Sequence, residues 1–186
     1  MSPSNETFDS LLEAAKAGAE WAWASLFREL SGPVTGYLAS RGAAEPEDVS
    51  SEVFLNVARG IHSFKGDRDS FRSWVFVIAH RKLIDERRSR ARQPHLAGFP
   101  EDTSSKSEGG NVENEAMANL ITDELQAALE PLTEAQRDVL ALRLVAGLTL
   151  AETAHVTGKR VGAVKALQRR ALATLHAKLD LDNVTL

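Results

Sequence analysis

Apolar residues recur along most of the chain every three or four positions, which is the spacing of one face of an α-helix. A first stripe begins at Phe8, and a second runs from Trp23 through Phe27 to Leu30. The sequence contains no sustained alternation of apolar and polar residues, the pattern that indicates a β-strand. The pattern therefore predicts an all-α fold.

Residues with special backbone preferences mark several predicted helix ends. Pro46 predicts the start of a third helix, because the first turn has no use for the N–H that proline lacks. The acidic Glu47 and Asp48 that follow suit the positive end of the helix dipole. Ser70 is predicted to cap a fourth helix, and Gly18 to end the first.

The fourth predicted helix changes character along its length. Its first part, FRSWVFVI, has the composition of a buried segment, whereas its last part, ERRSRAR, carries four arginines within six residues. A favourable interaction with the helix dipole accounts for one or two arginines at a helix end, but not for four. A polyanion relieves the repulsion among them and releases counterions in return. This half of the helix therefore predicts a contact with nucleic acid.

Residues 93–116, QPHLAGFPEDTSSKSEGGNVENEA, interrupt the helical pattern. Pro, Gly, Ser and acidic residues dominate this segment, which has too few apolar residues to offset the entropy of ordering it. We interpret it as a flexible acidic linker. It divides the chain into two small helical domains, which the sequence places at residues 1–92 and 117–186.

The second predicted domain contains a helix-turn-helix pattern in TLAETAHVTGKRVGAVKALQRRALATL, residues 149–175. Gly158 supplies the turn, and Thr133 with Gln136 forms a capping box further upstream. In such motifs the second helix enters the major groove of DNA. A helical hairpin with a solvated basic face is the alternative. The predicted inner face of the second helix consists of Val161, Val164, Leu167, Ala171, Leu172 and Leu175.

The charge distribution supports two anionic contacts. The net charge is −4, but residues 65–92 alone carry +5 and residues 132–186 carry +3. Electrostatic fields act locally, within a Debye length of about 8–10 Å in physiological salt. Two basic segments in an acidic chain therefore indicate two separate contacts, unless both are simply solvated helix faces.

Other classes of protein are disfavoured by what the sequence lacks. There are no cysteines, which excludes disulfides and thiolate metal sites and favours the cytoplasm. The first residues do not resemble a signal peptide, and no apolar run approaches the roughly 20 residues of a membrane span. The five histidines belong to none of the common catalytic or metal-binding motifs. We therefore predict no catalysis, no metal and no cofactor.

Taken together, four segments resemble the extracytoplasmic-function group of bacterial RNA polymerase sigma factors. The resemblance covers roughly residues 8–179, and the segments occur in the family's order. They are GAEWAWASLF, EPEDVSSEVFLNV, FRSWVFVIAHRKLIDERRSRAR and LTEAQRDVLALRLVAGLTLAETAHVTGKRVGAVKALQRRAL.

The resemblance implies a role for three groups of residues, which would contact core RNA polymerase and two promoter elements. The polymerase contact is with the clamp helices of its largest subunit and with its flap. The clamp-binding residues are Asp48, Glu52, Phe54 and Leu55; the residues at the minus-ten element are Arg81, Lys82, Asp85, Arg87 and Arg88; and those at the minus-thirty-five element are Lys159, Arg160, Lys165, Ala166, Arg169 and Arg170.

The resemblance also implies an anti-sigma factor that masks the surface from Asp48 to Leu55. The sequence departs from the family pattern at Ser51, at Arg81 and at Ala166–Leu167, where the family usually has Gln, Asn and Ser-Arg. The remaining alternative is a stand-alone helix-turn-helix regulator whose N-terminal domain serves as a sensor or dimerisation module. Such a regulator binds duplex DNA tightly without polymerase, usually as a symmetric dimer.

Overall fold

The computed structural model describes residues 3–92 and 129–183, with side chains described for residues 7–92 and 129–178. Regular secondary structure in these ranges is entirely helical, so the all-α prediction is confirmed. The predicted linker lies outside the described residues. The helices are α1 (Pro3–Lys16), α2 (Glu20–Ser40), α3 (Pro46–Gly60), a 3-10 turn (Ile61–Ser63), α4 (Arg68–Arg92), α5 (Glu134–Leu140), a π-helical segment (Ala141–Val145), α6 (Leu150–Thr157) and α7 (Val161–Asn183).

Most of the predicted helix ends are confirmed. Pro46 occupies the first turn of α3, and Thr133 with Gln136 forms the capping box of α5. The position of Ser70 was predicted wrongly. Helix α4 already begins at Arg68, and the cap is Asp67, whose carboxylate accepts a hydrogen bond from the Ser70 N–H at 2.9 Å.

Helices α1 to α4 surround a core of large apolar side chains. Tyr37, Leu38, Phe71, Phe76 and Leu83 are among its fully buried members. The buried residues of α4 end at Leu83, one residue before the apolar composition stops. The remaining two turns of α4 extend beyond this core, as the change of composition along the helix predicts.

Helices α5 to α7 form a second unit with a small interior. One cluster contains Leu132, Leu140 and Ala171, and a second contains Val139, Ala154 and Val164. The predicted inner face of α7 is partly wrong: Val161 and Leu172 remain 47% and 39% exposed. The reason is that α5 and α6 are too short to cover the whole apolar stripe of a 23-residue helix.

The two units pack against one another, which the sequence did not predict. Five residues of the second unit are buried in the same core as α1 to α4. A unit this small gains by the docking, since short segments bury only a modest part of their apolar surface alone. The five residues are Ala141, Leu142, Ala146, Leu148 and Val156.

Gly36 of α2 lies against the side chain of Val145 where α2 meets the π-helical segment. A Cβ placed on Gly36 would lie 3.3 Å from Cγ1 of Val145, so a larger residue here would require the Val145 side chain to shift by a few tenths of an ångström. Arg72 of α4 donates a hydrogen bond to the carbonyl of Ala146. This bond satisfies one of the backbone acceptors left free at the end of a helix.

Candidate nucleic-acid interface

The exposed end of α4 carries most of the residues predicted to contact the minus-ten element. Arg81, Asp85 and Arg88 are exposed, whereas Lys82 and Arg87 are half-buried. Asp85 and Arg88 lie one turn apart with charged atoms 4.0 Å from each other. The helix therefore presents a mixed but predominantly cationic face.

Lys82 is paired with a residue of the predicted polymerase-binding group. Its Nζ lies 2.7 Å from Oε2 of Glu52 on α3. The hydrogen bond from Lys82 and the positive charge of its ammonium lower the pKa of Glu52. Two residues predicted for different partners thus neutralise one another.

Arg87 and Arg90 turn back toward the end of α2. Arg87 donates to the carbonyl of Arg41 at 2.5 Å, and Arg90 donates to the carbonyl of Gly42 at 2.9 Å. Cations are favoured here, because the carbonyls at a helix C-terminus carry partial negative charge. Two arginines of the basic segment therefore hold α2 and α4 together at this end.

Helix α3 exposes the acidic and apolar residues predicted to bind polymerase. Asp48, Glu52 and Leu55 are exposed, the last by 57%. Phe54 is half-buried, and its ring meets that of Phe27 edge to face at a centroid distance of 4.7 Å. Phe27 is itself 49% exposed. Sequence reasoning missed it, because its helical spacing is that of a core residue.

The helix-turn-helix is formed by α6 and α7. Thr149 and Glu152 make a capping box at the start of α6, and Gly158 takes a left-handed conformation with φ of 65° in the turn. Ala154 is buried where the helices cross. The local signals read from the sequence therefore produce the predicted geometry.

The residues predicted for the minus-thirty-five element lie together around the start of α7. All five cations in this group are exposed, and Ala166 between them is half-buried. None of the five forms an ion pair within the described ranges, whereas Lys82, Arg87 and Arg88 on α4 each do. Their charge is therefore available to an external anion. They are Lys159, Arg160, Lys165, Arg169 and Arg170.

Four charged residues connect the two units, and sequence reasoning assigned a role to only one of them. The interdomain cluster consists of Arg41 and Arg87 from the first unit and Glu134 and Asp138 from the second. Glu134 Oε2 lies 2.7 Å from both Arg41 Nη2 and Arg87 Nη1. Asp138 Oδ1 lies 2.8 Å from Arg41 Nε. The only feature of the sequence that points to this cluster is the spacing of Glu134 and Asp138. These two acids lie four positions apart on one helix of an otherwise basic unit.

Electrostatics within the interdomain cluster favour the ionised form of Glu134. Partial burial by itself would raise the pKa of Glu134, but the charges of Arg41 and Arg87 outweigh this effect and lower it. The side chain of Arg41 is only 3% exposed. An arginine this buried requires paired carboxylates.

The described residues contain neither a metal-binding cluster nor a membrane-spanning helix. No group of three or more His, Asp or Glu side chains is arranged to hold a metal ion. None of the described helices combines the length and apolar character needed to cross a bilayer.

Two family profiles match the chain. Sigma-70 region 2 matches residues 26–93, and Sigma-70, region 4 matches residues 128–177. The ECF RNA polymerase sigma factor ShbA of Streptomyces griseus is 35% identical over 133 residues, which cover 70% of each chain. The ECF RNA polymerase sigma factor BldN of Streptomyces coelicolor is 34% identical over 175 residues, or 92% of this chain. The present chain spans 66% of the length of BldN.

A solved structure shares the fold. The sigma factor RpoE of Bartonella quintana, determined in complex with the anti-sigma factor NepR, superposes with a TM-score of 0.63 and 19% identity. The superposition covers 86% of this chain and 97% of the other.

Proposed function

Because the chain belongs to the ECF RNA polymerase sigma factors, we propose that it binds core RNA polymerase and directs initiation at its own set of promoters. The observation that carries this proposal is that one chain matches both sigma regions, and that each match includes an exposed basic helix segment. The polymerase forms the phosphodiester bonds, and this chain contributes recognition. Polymerase and chromosome are both cytoplasmic in bacteria, so this role belongs in the cytoplasm.

The polymerase contact in this proposal is made by α3. Its exposed Asp48 and Glu52 complement a basic partner surface, and Leu55 adds an apolar anchor. The edge-to-face pair of Phe54 and Phe27 extends the apolar part onto α2. A small apolar area bordered by charges is typical of protein interfaces. The clamp helices of the largest polymerase subunit are the proposed partner.

The minus-ten contact is assigned to the exposed part of α4. Arg81 and Arg88 are available to phosphates, and Asp85 can accept hydrogen bonds from exposed base edges. Opening a base pair costs a few kcal/mol, which binding of the freed strand in a basic groove offsets. Lys82 and Arg87 join this surface once they are released from their carboxylate partners.

The minus-thirty-five contact is assigned to α7 and the turn before it. Early residues of a recognition helix reach base edges in the major groove, and neighbouring cations contact phosphates. Lys165, Ala166, Arg169 and Arg170 lie on the proposed base-facing side. Lys159 and Arg160 precede the helix and suit phosphates.

An anti-sigma factor is the proposed regulator of the chain. Support comes from the fold shared with the RpoE protein whose structure contains an anti-sigma factor. The exposed surface from Asp48 to Leu55 is the proposed target, because a protein bound there would block polymerase directly.

Run-off transcription tests the proposed function. Purified core polymerase from the host is incubated with fragmented host DNA, with and without the chain, and the 5′ ends of the transcripts are mapped. We expect start sites that depend on the chain and that align on two common sequence elements. A stand-alone regulator would give no chain-dependent transcript and would bind duplex DNA tightly without polymerase.

A further inference from the structure

Helix α7 begins with an apolar residue that the fold does not cover. Val161 is the first residue of this helix and remains 47% exposed, although its spacing with Val164 and Leu167 predicts a position on the inner face. Val164, one turn further along, is fully buried. Val161 therefore lies at the edge of the packed face, with its side chain open to solvent.

Helix formation gives no reason for a valine at this position. A β-branched side chain loses rotamer freedom in a helix, and the start of a helix favours residues that cap it or carry negative charge. Valine does neither, and the first turn of α7 contains no acidic residue. The start of α6, by contrast, has a complete capping box of Thr149 and Glu152. A residue that departs from the local rules without a gain in packing is expected at a functional position.

The residues around Val161 are cationic. Lys159 and Arg160 immediately precede it, and Lys165 follows one turn later on the same side of the helix. All three cations are exposed, and none of them forms an ion pair with another residue that the structure describes. Cations that bind phosphates fix the position of a protein on the duplex. Phosphates held on either side of Val161 would therefore bring this residue to the bases between them.

The backbone aims the first turn of α7 outward. Gly158 turns the chain with a φ of 65°, and the carbonyl of Arg160 accepts the N–H of Val164 at 3.1 Å, which starts the helix at Val161. Side chains on a helix tilt toward its N-terminus, and the N-terminal residues of a recognition helix contact base edges. The next residue, Gly162, has no side chain, and a Cβ there would meet no atom within 4 Å. The neighbouring position therefore does not shield Val161.

The chemistry of valine matches one feature of DNA. Its side chain has no hydrogen-bond donor or acceptor, so it cannot read the polar edges of the bases. The C5-methyl group of thymine is the apolar group that the major groove presents, and apolar side chains contact it. We propose that Val161 is a specificity residue that reads a thymine methyl group in the minus-thirty-five element. This inference rests on the proposed function for the assignment of α7 to duplex DNA.

Replacement of thymine by uracil tests this role, because the two bases differ only in the C5-methyl group. The probe is a fluorescent duplex that carries the minus-thirty-five element found by mapping run-off transcripts, with each thymine of the element replaced in turn. Binding is measured with the chain assembled on core polymerase. We expect one position at which the replacement lowers the affinity about threefold to fivefold, which corresponds to the loss of one buried methyl contact.

Val161→Ala should weaken binding to the thymine duplex by a similar factor and should bind the thymine and uracil duplexes equally at that position. Leu172→Ala is the matched control. Leu172 is 39% exposed on the same side of α7 but lies about 16 Å further along the helix, so this variant should keep the preference for thymine. Circular dichroism verifies the fold of each variant. If Val161→Ala kept the preference at every position, or if the wild-type chain had none, Val161 would not read a thymine methyl group.

Selection of duplexes without polymerase distinguishes this inference from the proposed function. The full chain alone is used to enrich duplexes from a random pool, and the uracil replacements are repeated on the enriched sequence. A thymine preference that depends on Val161, in the absence of any run-off transcript, would support the role of Val161 and contradict the proposed function. Chain-dependent transcripts with a thymine preference unchanged in Val161→Ala would contradict the role of Val161 alone. Neither a transcript nor an enriched duplex would overturn both.

Discussion

The hydroxyl of Tyr37 lies 2.7 Å from Nδ1 of His80, and this hydrogen bond joins α2 to α4 in the interior of the molecule. Both side chains are buried. A neutral imidazole can accept this bond at Nδ1, whereas an imidazolium has no free lone pair. Burial raises the pKa of Tyr37, so the phenol stays protonated.

This arrangement predicts a loss of stability on mild acidification. Burial lowers the pKa of His80; Asp138 opposes the shift, while Arg87 and Arg41 add to it. Below the unfolded pKa of about 6.5, the unfolded chain binds a proton at His80 that the folded chain does not. The free energy of unfolding therefore decreases as the pH is lowered. The slope is at most about 1.4 kcal/mol per pH unit for one proton.

Urea denaturation between pH 5 and 7 checks this prediction. His80→Gln keeps a hydrogen-bonding side chain and should reduce the slope over this range. His62→Gln alters an exposed histidine and should leave the slope unchanged. If the wild-type chain, His80→Gln and His62→Gln all showed the same dependence of the free energy of unfolding on pH, His80 would be protonated in the folded chain and the prediction would be wrong.

Arg41→Ala should lower the free energy of unfolding by about 3 kcal/mol, because it leaves Asp138 largely buried without its closest cation. Arg68→Ala breaks an exposed pair with Glu29, whose side chains are 54% and 36% exposed, and should cost less than about 1 kcal/mol. Urea denaturation measures both. A similar cost for the two variants would mean that the interdomain cluster is as weak as a surface pair.

Gly158→Ala should lower the free energy of unfolding by about 1–2 kcal/mol, because φ is 65° there and a Cβ disfavours this conformation. Gly162→Ala is the matched control, since a Cβ at either position meets no atom within 4 Å. Gly162 lies in the first turn of α7, so alanine there should be neutral or slightly stabilising. Thermal denaturation of both variants distinguishes a backbone effect from a packing effect. A backbone effect lowers the melting temperature of Gly158→Ala alone, whereas a packing effect would change both variants alike.

Arg88→Glu should abolish most promoter-dependent initiation without changing the denaturation midpoint. Its side chain is 68% exposed and its nearest carboxylate is 4.0 Å away, so it contributes little to the fold. Lys65→Glu makes the same change of charge at another exposed position of the first unit and should retain activity. Run-off transcription and urea denaturation on the same preparations provide both readouts. Undiminished initiation by Arg88→Glu would remove α4 from the proposed minus-ten site.

Local signals predicted the helices well, because capping and turn geometry depend on residues within about four positions of each other. Thr133 with Gln136, Pro46 and Gly158 are examples. The same locality explains the error at Ser70, since Asp67 three residues earlier is an equally good cap and α4 begins at Arg68. The exposure of Leu172 depended instead on how far α5 and α6 reach along α7.

The sequence by itself determined the all-helical fold, the abrupt change from apolar to basic residues along α4 and the family to which the chain belongs. Only the tertiary structure decided that the two units dock and that Arg87 faces Glu134, 47 positions away. The physical reason is that an arginine has the same side chain whether a phosphate or a carboxylate lies opposite. Its partner is set by which helix faces are buried together, and Arg41 meets Glu134 across 93 positions for the same reason.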